Sequence, residues 1–207
     1  EAYEYDGNGN TVAQIYGRGN RTEFVYDGAD RRTEEKRAVG SPVANSIVTT
    51  YNAAGNVLTV KDGRNHGGAF DTRYTYDARY RAVAVTNGEN ETTTFAYDAA
   101  NNVVRTTDAR GGVTTYRYDE FGQVLSVDDS ARAQAGSAAG VTIFAYDANR
   151  NLIAQQDANG NLTTWRYDAQ DRQTDRYQHT VPGTLTVGTL RGVDPKGSAL
   201  YAAAGGN

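Results

Sequence analysis

Residues 113–129 read VTTYRYDEFGQVLSVDD. A Thr-rich segment alternates up to Tyr118-Asp119, a polar turn follows, and a second alternating segment begins at Val124. This stretch decides the fold because it recurs. Tyr followed by Asp or Asn stands at Tyr5, Tyr26, Tyr51, Tyr76, Tyr97, Tyr118, Tyr146 and Tyr167, at spacings of 21, 25, 25, 21, 21, 28 and 21. The basic period is 21 residues, with insertions of 4, 4 and 7. Self-similarity at a fixed period is the mark of a repeat architecture.

Two residues before these tyrosines stand Tyr3, Phe24, Thr49, Tyr74, Phe95, Tyr116, Phe144 and Trp165, seven of them aromatic. A spacing of two puts both side chains on one face of a strand. The two columns hold 15 of the chain's 21 aromatic residues, so they predict an aromatic stripe on one sheet face. The Asp after Tyr (Asp6, Asp27, Asp77, Asp98, Asp119, Asp147 and Asp168) opens a turn, where its carboxylate can accept a backbone N–H from two residues on. Four residues after the Tyr come Gly9, Asp30, Gly55, Tyr80, Asn101, Gly122, Arg150 and Asp171. Six of these eight are Gly, Asn or Asp, which tolerate a left-handed backbone.

Each unit continues through a second strand, such as Val103–Thr107 or Val57–Lys61, and a second turn, such as 108–112, 157–161 or 17–20. A Thr-rich strand then leads to the next Tyr, as in Thr92–Tyr97, Val113–Tyr118 and Leu162–Tyr167. The expected fold is therefore all-β: about eight 21-residue β-hairpin repeats forming a curved, spiralling antiparallel sheet, a section of a shell. Curvature is expected because open twisted sheets rarely exceed about ten strands without curling or splitting. Residues 1–180 form the repeat array, and 181–207 a non-repeat tail with one further strand expected at Thr184–Leu190.

Composition narrows the function. The absence of Cys leaves no disulfide framework and no thiol chemistry. The absence of Met makes Glu1 no initiator, so the chain is expected to be processed or part of a longer polypeptide. No 18-residue apolar run is present to span a bilayer, and the N-terminus has no basic region followed by an apolar one, so any export signal is expected to be absent or already removed. The net charge of −4 is spread along the chain, unlike the concentrated basic face of a nucleic-acid binder.

Segments such as 146–152 (YDANRNL) and 157–168 (DANGNLTTWRYD) resemble the Rhs, or YD, repeat, and the resemblance covers roughly residues 3–177. The family comprises large secreted or surface proteins: bacterial Rhs toxins, C-type components of insecticidal toxin complexes, wall-associated proteins and animal teneurins. The resemblance implies a spiralling β-sheet shell, which in bacterial toxins encloses a toxin polypeptide and in teneurins serves recognition at the cell surface. It also implies an extracellular or cell-surface location. The closing segment of the family, of the type RYYDPxxGRFxSxDP, is absent. Of the paired DPxG-type elements of its self-cleaving site, one appears at 194–197, and that single copy is read as a turn containing Pro and Gly.

Other constellations point elsewhere only weakly. His66 and His179 are far apart in sequence, and neither a GxSxG elbow nor a phosphate-binding Gly-Lys loop occurs, so no catalytic residue, metal site or cofactor is expected. The Asp/Asn-rich turns 6–10 and 157–161 gather oxygens but lack the distal Glu of a calcium loop. Three Asn-x-Thr sequons, at Asn20, Asn90 and Asn161, fall in second turns. Val39–Ser46, Arg64–Ala69 and Ala131–Gly140 are expected to be loops.

These features give a non-enzymatic section of an exported shell that encapsulates or presents a polypeptide such as a toxin. Its partners are flanking repeats or copies of itself, met through open strand edges. Two other readings stay open. One is a self-assembling surface filament. The other is a carbohydrate-binding module using Phe24, Tyr74, Phe95, Tyr116, Phe144 and Trp165 as stacking platforms.

Overall fold

Thr, Val, Tyr and Phe alternate through each segment, and their branched or flat side chains fit a pleated surface. The computed structural model describes residues 1–17, 19–63, 70–129 and 140–179. These residues form sixteen strands and no helix. The strands are β1 (Ala2–Tyr5), β2 (Thr11–Ile15), β3 (Arg21–Tyr26), β4 (Arg32–Arg37), β5 (Asn45–Tyr51), β6 (Val57–Lys61), β7 (Thr72–Tyr76) and β8 (Ala82–Asn87), then β9 (Thr92–Tyr97), β10 (Val103–Thr107), β11 (Val113–Tyr118), β12 (Val124–Asp128), β13 (Val141–Tyr146), β14 (Leu152–Gln156), β15 (Leu162–Tyr167) and β16 (Gln173–His179). They lie side by side in sequence order in one sheet, as an all-β hairpin array requires. The chain divides into two compact units, Glu1–Thr94 and Phe95–Asn207.

Register shows how the repeat is built. Within a hairpin the ladder runs almost to the Tyr-Asp turn: Thr115 faces Asp128, Tyr116 faces Val127, and Arg117 faces Ser126. The register then shifts, so that Tyr118 faces Val124. The same bulge precedes the turn in the hairpins ending at Tyr5, Tyr26, Tyr51, Tyr76, Tyr146 and Tyr167. At most joints between hairpins the ladder is shorter. β12 and β13 pair only through Ser126–Ile143, Val127–Thr142 and Asp128–Val141, leaving the Tyr end of β13 unpaired on that side.

Both kinds of turn use one solution. The N–H of the residue opening the turn donates to the carbonyl four residues on, and the N–H three residues on donates back to the opening carbonyl, as at Asp119–Gln123 and Asp108–Gly112. The fourth turn residue is left-handed at all eight Tyr-Asp positions, including Tyr80 at φ 61° and Arg150 at φ 73°. This is the three-residue hairpin loop, a type I turn closed by a left-handed residue.

A single-layer sheet has little interior, and among the described residues no large side chain is fully buried. The buried positions are mostly small: Ala13, Ala145, Ala154, Thr22, Thr86, Thr114, Ser126 and Thr164, with Ile153 and Gln156. Small side chains vanish because longer neighbours on adjacent strands cover them. In the first unit Ala13, at 0% exposure, lies between Glu4 and Glu23 in register. Arg21 pairs with both carboxylates, at 2.7 and 2.8 Å. In the second unit Ala145, Ile153 and Ala154 pack with Ile143, Leu162 and Tyr167.

One expected loop is shorter than its sequence suggested. β5 begins at Asn45, not after Ser46, because the charged strand β4 continues to Arg37 and pairs Arg37 with Asn45 and Lys36 with Ser46. The seven-residue insertion begins from a second turn, where Asp129 N–H donates to Gly140 C=O and Gly140 N–H returns to the Asp129 carboxylate. Residues 64–69 and 131–139, His66, the strand expected at 184–190, the 194–197 element and the tail from 181 lie outside the described residues.

Candidate functional site

The chemistry of this chain is concentrated at the joint between hairpins. Where the inter-hairpin ladder stops, a tyrosine phenol takes over. Tyr118 Oη donates to Val103 C=O at 2.8 Å, and Tyr76 Oη to Val57 C=O at 2.7 Å. Tyr26 donates to Thr11, Tyr51 to Arg32, Tyr146 to Val124 and Tyr167 to Leu152. Each acceptor is the first residue of the preceding strand, and Thr11, Arg32, Val57, Val124 and Leu152 lie beside their hairpin's bulge. The bulge disturbs the ladder there, and the phenol supplies a donor from the next repeat. Burial at this joint pushes the phenols of Tyr76, Tyr118, Tyr146 and Tyr167 upward. Tyr97 occupies the same place at the end of β9, and Tyr5, on the first strand, is 61% exposed.

The Asp that follows holds the turn. Oδ1 of Asp27 accepts the N–H groups of Ala29 and Arg31, and its Oδ2 accepts Arg31 Nε at 2.8 Å. Asp6, Asp77 and Asp168 accept in the same way from residues two and four on. Asp119 accepts from Phe121 and Gln123, and Asp98 and Asp147 accept from both the backbone and the side chain of Asn102 and Asn151. These bonds favour the charged form. The Asn10 side chain holds the Asp6 carboxyl below the usual carboxylate range, and the Arg31 guanidinium does so for Asp27. The backbone N–H groups of Arg81 and Arg172 do so for Asp77 and Asp168.

The partner four residues after the Asp was not singled out by sequence reasoning, although its pattern is legible. Those positions hold Asn10, Arg31, Asn56, Arg81, Asn102, Gln123, Asn151 and Arg172, all amide or guanidinium donors. Asn52 breaks the match. Its Oδ1 accepts Ala54 N and Asn56 N as an Asp would. It has no second oxygen, and Asn56 Nδ2 is buried without a hydrogen-bond partner. At the second turn opened by Asn87, the partner is instead Glu91, and Asn87 Nδ2 donates to its carboxylate at 2.9 Å.

Successive turns are also tied to one another. In the first unit Asn8 and Asn10 both donate to Asp30 Oδ1, at 2.9 and 2.8 Å. In the second, Asn149 and Asn151 do the same to Asp171, each at 2.8 Å. Arg31 reaches Asn52 C=O, and Gln123 reaches Arg150 C=O. Every hairpin linked in these ways is held to the next by a short ladder, a phenol bridge and a bridge between turns.

The other aromatic column faces the middle of its own hairpin. Phe24 lies opposite Glu35, Tyr74 opposite Val85, Tyr116 opposite Val127, Phe144 opposite Gln155 and Trp165 opposite Arg176; Phe95 lies on β9. All six are half-buried. The Tyr74 and Tyr76 rings stack at 6.4 Å. Guanidinium groups cover several rings: Arg32 over Phe24 at 5.4 Å, Arg176 over Trp165 at 6.0 Å and Arg150 over Phe121 at 4.6 Å. The turn oxygens of residues 6–10 are taken up by hydrogen bonds inside and between turns, and among the described residues no group of His, Asp and Glu is placed to hold a metal ion. His179 ends β16, where its Nε2 lies 3.0 Å from Thr164 Oγ1. In the second unit a cleft of about 700 Å³ opens between the turns at 98–102 and 119–123.

This geometry defines a repeat wall of single-layer hairpins joined by Tyr-Asp turns. The sequence profile of the Teneurin YD-shell family matches residues 3–184, and the chain belongs to that family. No curated protein matches it. Among solved structures it is similar to a chain of the Photorhabdus luminescens Tc holotoxin pore carrying a TccC3 mutation, with a TM-score of 0.58 and 16% identity over 84% of this chain. It spans 12% of that toxin chain. Against the TcdB2–TccC3–Cdc42 structure the TM-score is 0.46 and the identity 14%, over 86% of this chain and 14% of the other.

Proposed function

We propose that this chain is a non-enzymatic section of an extracellular or cell-surface shell whose role is to enclose or present a polypeptide such as a toxin. The observation that carries this reading is the hairpin joint. Ladder, phenol and turn bridges recur from hairpin to hairpin, so the wall grows by adding units rather than by enclosing a core around a catalytic site. Its partners are flanking repeats and the enclosed segment. Membership of the YD-shell family and the likeness to a chain of a toxin pore support the reading.

The test is electron microscopy and protease digestion of the longer polypeptide that contains this section. A hollow particle, with an enclosed segment that resists added protease, is the expected result. A solid particle, or an enclosed segment cut as fast as the same segment free in solution, overturns the reading.

Self-assembly is the second reading, and it is favoured by the edges. β1 and β16 each pair on one side only among the described residues, and β1 is exposed along its whole length. Such edges are templates for another strand.

A further inference from the structure

The cleft in the second unit is lined by two small residues, Ala100 and Gly122. At two other Tyr-Asp joints the left-handed residue of the later turn is Asp30 or Asp171, and it accepts from Asn8 or Asn149 of the earlier turn. Here the equivalent positions are Gly122 and Ala100. A Cβ on Gly122 would lie 3.6 Å from Asn102 Oδ1, an ordinary contact, so the space a bridging side chain would fill is open.

Its lining points to one ligand chemistry. Asp98, Asp119 and Glu120 face it with Arg117, so carboxylates outnumber cations among its lining residues. The turns already fix the carboxylates of Asp98 and Asp119, so their charge is in place before anything binds. Tyr116, Tyr118 and Phe121 add aromatic rings, and Phe121 is 57% exposed. The Tyr118 hydroxyl is already donated to Val103, so this residue offers its ring rather than a donor. Burial, and then the neighbouring Tyr116 and the charge of Asp98, push its phenol up. Phe121 already carries the Arg150 guanidinium at 4.6 Å. The rim therefore already seats one guanidinium on a ring beside these carboxylates, the pairing that favours a cation over a neutral ligand.

We propose that the cleft between the turns at 98–102 and 119–123 binds a cationic side chain, arginine or lysine, of an extended polypeptide. The site stands whether or not the chain is part of a shell, because it depends only on these two turns.

The test is fluorescence anisotropy with a labelled peptide of alternating glycine and arginine, and the same peptide with citrulline in place of arginine. The arginine peptide binds and the citrulline peptide does not. Phe121→Ala with Glu120→Gln raises Kd about fivefold or more, the scale of one exposed cation–π contact plus one exposed ion pair. Both residues are exposed, so the ladder survives their replacement, and circular dichroism checks that it does. Ala100→Asn with Gly122→Asp builds the bridge seen between Asn8 and Asp30 and between Asn149 and Asp171, and fills the cleft. It adds a negative charge, so diffuse attraction would strengthen, while a shaped site loses the peptide. Tyr80→Ala, at an exposed ring in the other unit, leaves binding unchanged. Equal binding by parent and both cleft variants would assign the attraction to net charge and overturn the proposal. Binding of neutral oligosaccharides that compete at the cleft, with no preference for arginine over citrulline, would assign it to carbohydrate instead.

Discussion

Asn52 is the natural point mutant of the Tyr-Asp column. It caps two N–H groups but leaves Asn56 Nδ2 buried without an acceptor. Asn52→Asp supplies the missing oxygen, and a buried donor regaining its partner is worth about 1–2 kcal/mol. The variant is expected to unfold at higher urea, and an unchanged or lower midpoint would show that the amide is satisfied in solution. Tyr118 tests the other half of the motif. Its ring packs at the joint and its hydroxyl donates to Val103. Tyr118→Phe keeps the ring and removes one hydrogen bond, so about 1 kcal/mol should be lost. Tyr118→Ala removes the ring as well and should cost clearly more in the same titration. Equal losses would mean that the hydroxyl contributes nothing.

At the scale of the turn, the same chemistry makes stability depend on pH. The carboxyls of Asp6, Asp27, Asp77, Asp157 and Asp168 sit below their ordinary value when folded. The unfolded chain, with carboxyl groups near about 3.9, therefore binds more protons as the solution is acidified. The contribution is fully present above the unfolded value and is lost as pH falls through the lower folded values. Urea midpoints are expected to hold steady from neutral pH to about 5 and to decline below about 4. A midpoint constant down to about pH 3 would remove these carboxylates from the account. The depressed values follow mainly from local hydrogen bonds inside each turn, so the effect should appear at the Asp turns of both units.

At the scale of the whole molecule, the consequence of single-layer construction is that each hairpin depends on its neighbours. With no large side chain fully buried among the described residues, stability is spread over joints rather than held in a core. The one-sided strands β1 and β16 are where that dependence is unmet among those residues. The isolated chain is expected to associate with rising concentration, as light scattering would show, because strand addition satisfies the exposed backbone groups. A particle mass that stays at one chain across a hundredfold concentration range would show that these edges are covered in solution.

Much of this was legible in the order of residues. The period of 21, the alternation within segments and the turn residues are local, and local sterics place strands and turns without knowledge of what lies beside them. Strands such as Val103–Thr107 and Leu162–Tyr167 therefore fall where the pattern puts them. Beyond the pattern, Tyr80 and Arg150 adopt a left-handed backbone because hairpin closure outweighs their own preference. The start of β5 at Asn45 depended on a partner strand long enough to meet it. The acceptor of each phenol and the bridges between turns were not legible, because both join residues about one repeat apart across a ladder that ends early. The cleft was hidden for the same reason. Gly122 and Ala100 are ordinary turn residues in sequence, and only the packing of one turn against the next brings them into one lining. The sequence determined the hairpin and its repetition, since both follow from alternation and turn chemistry; the tertiary structure decided how one hairpin grips the next, since that depends on atoms brought together only by register.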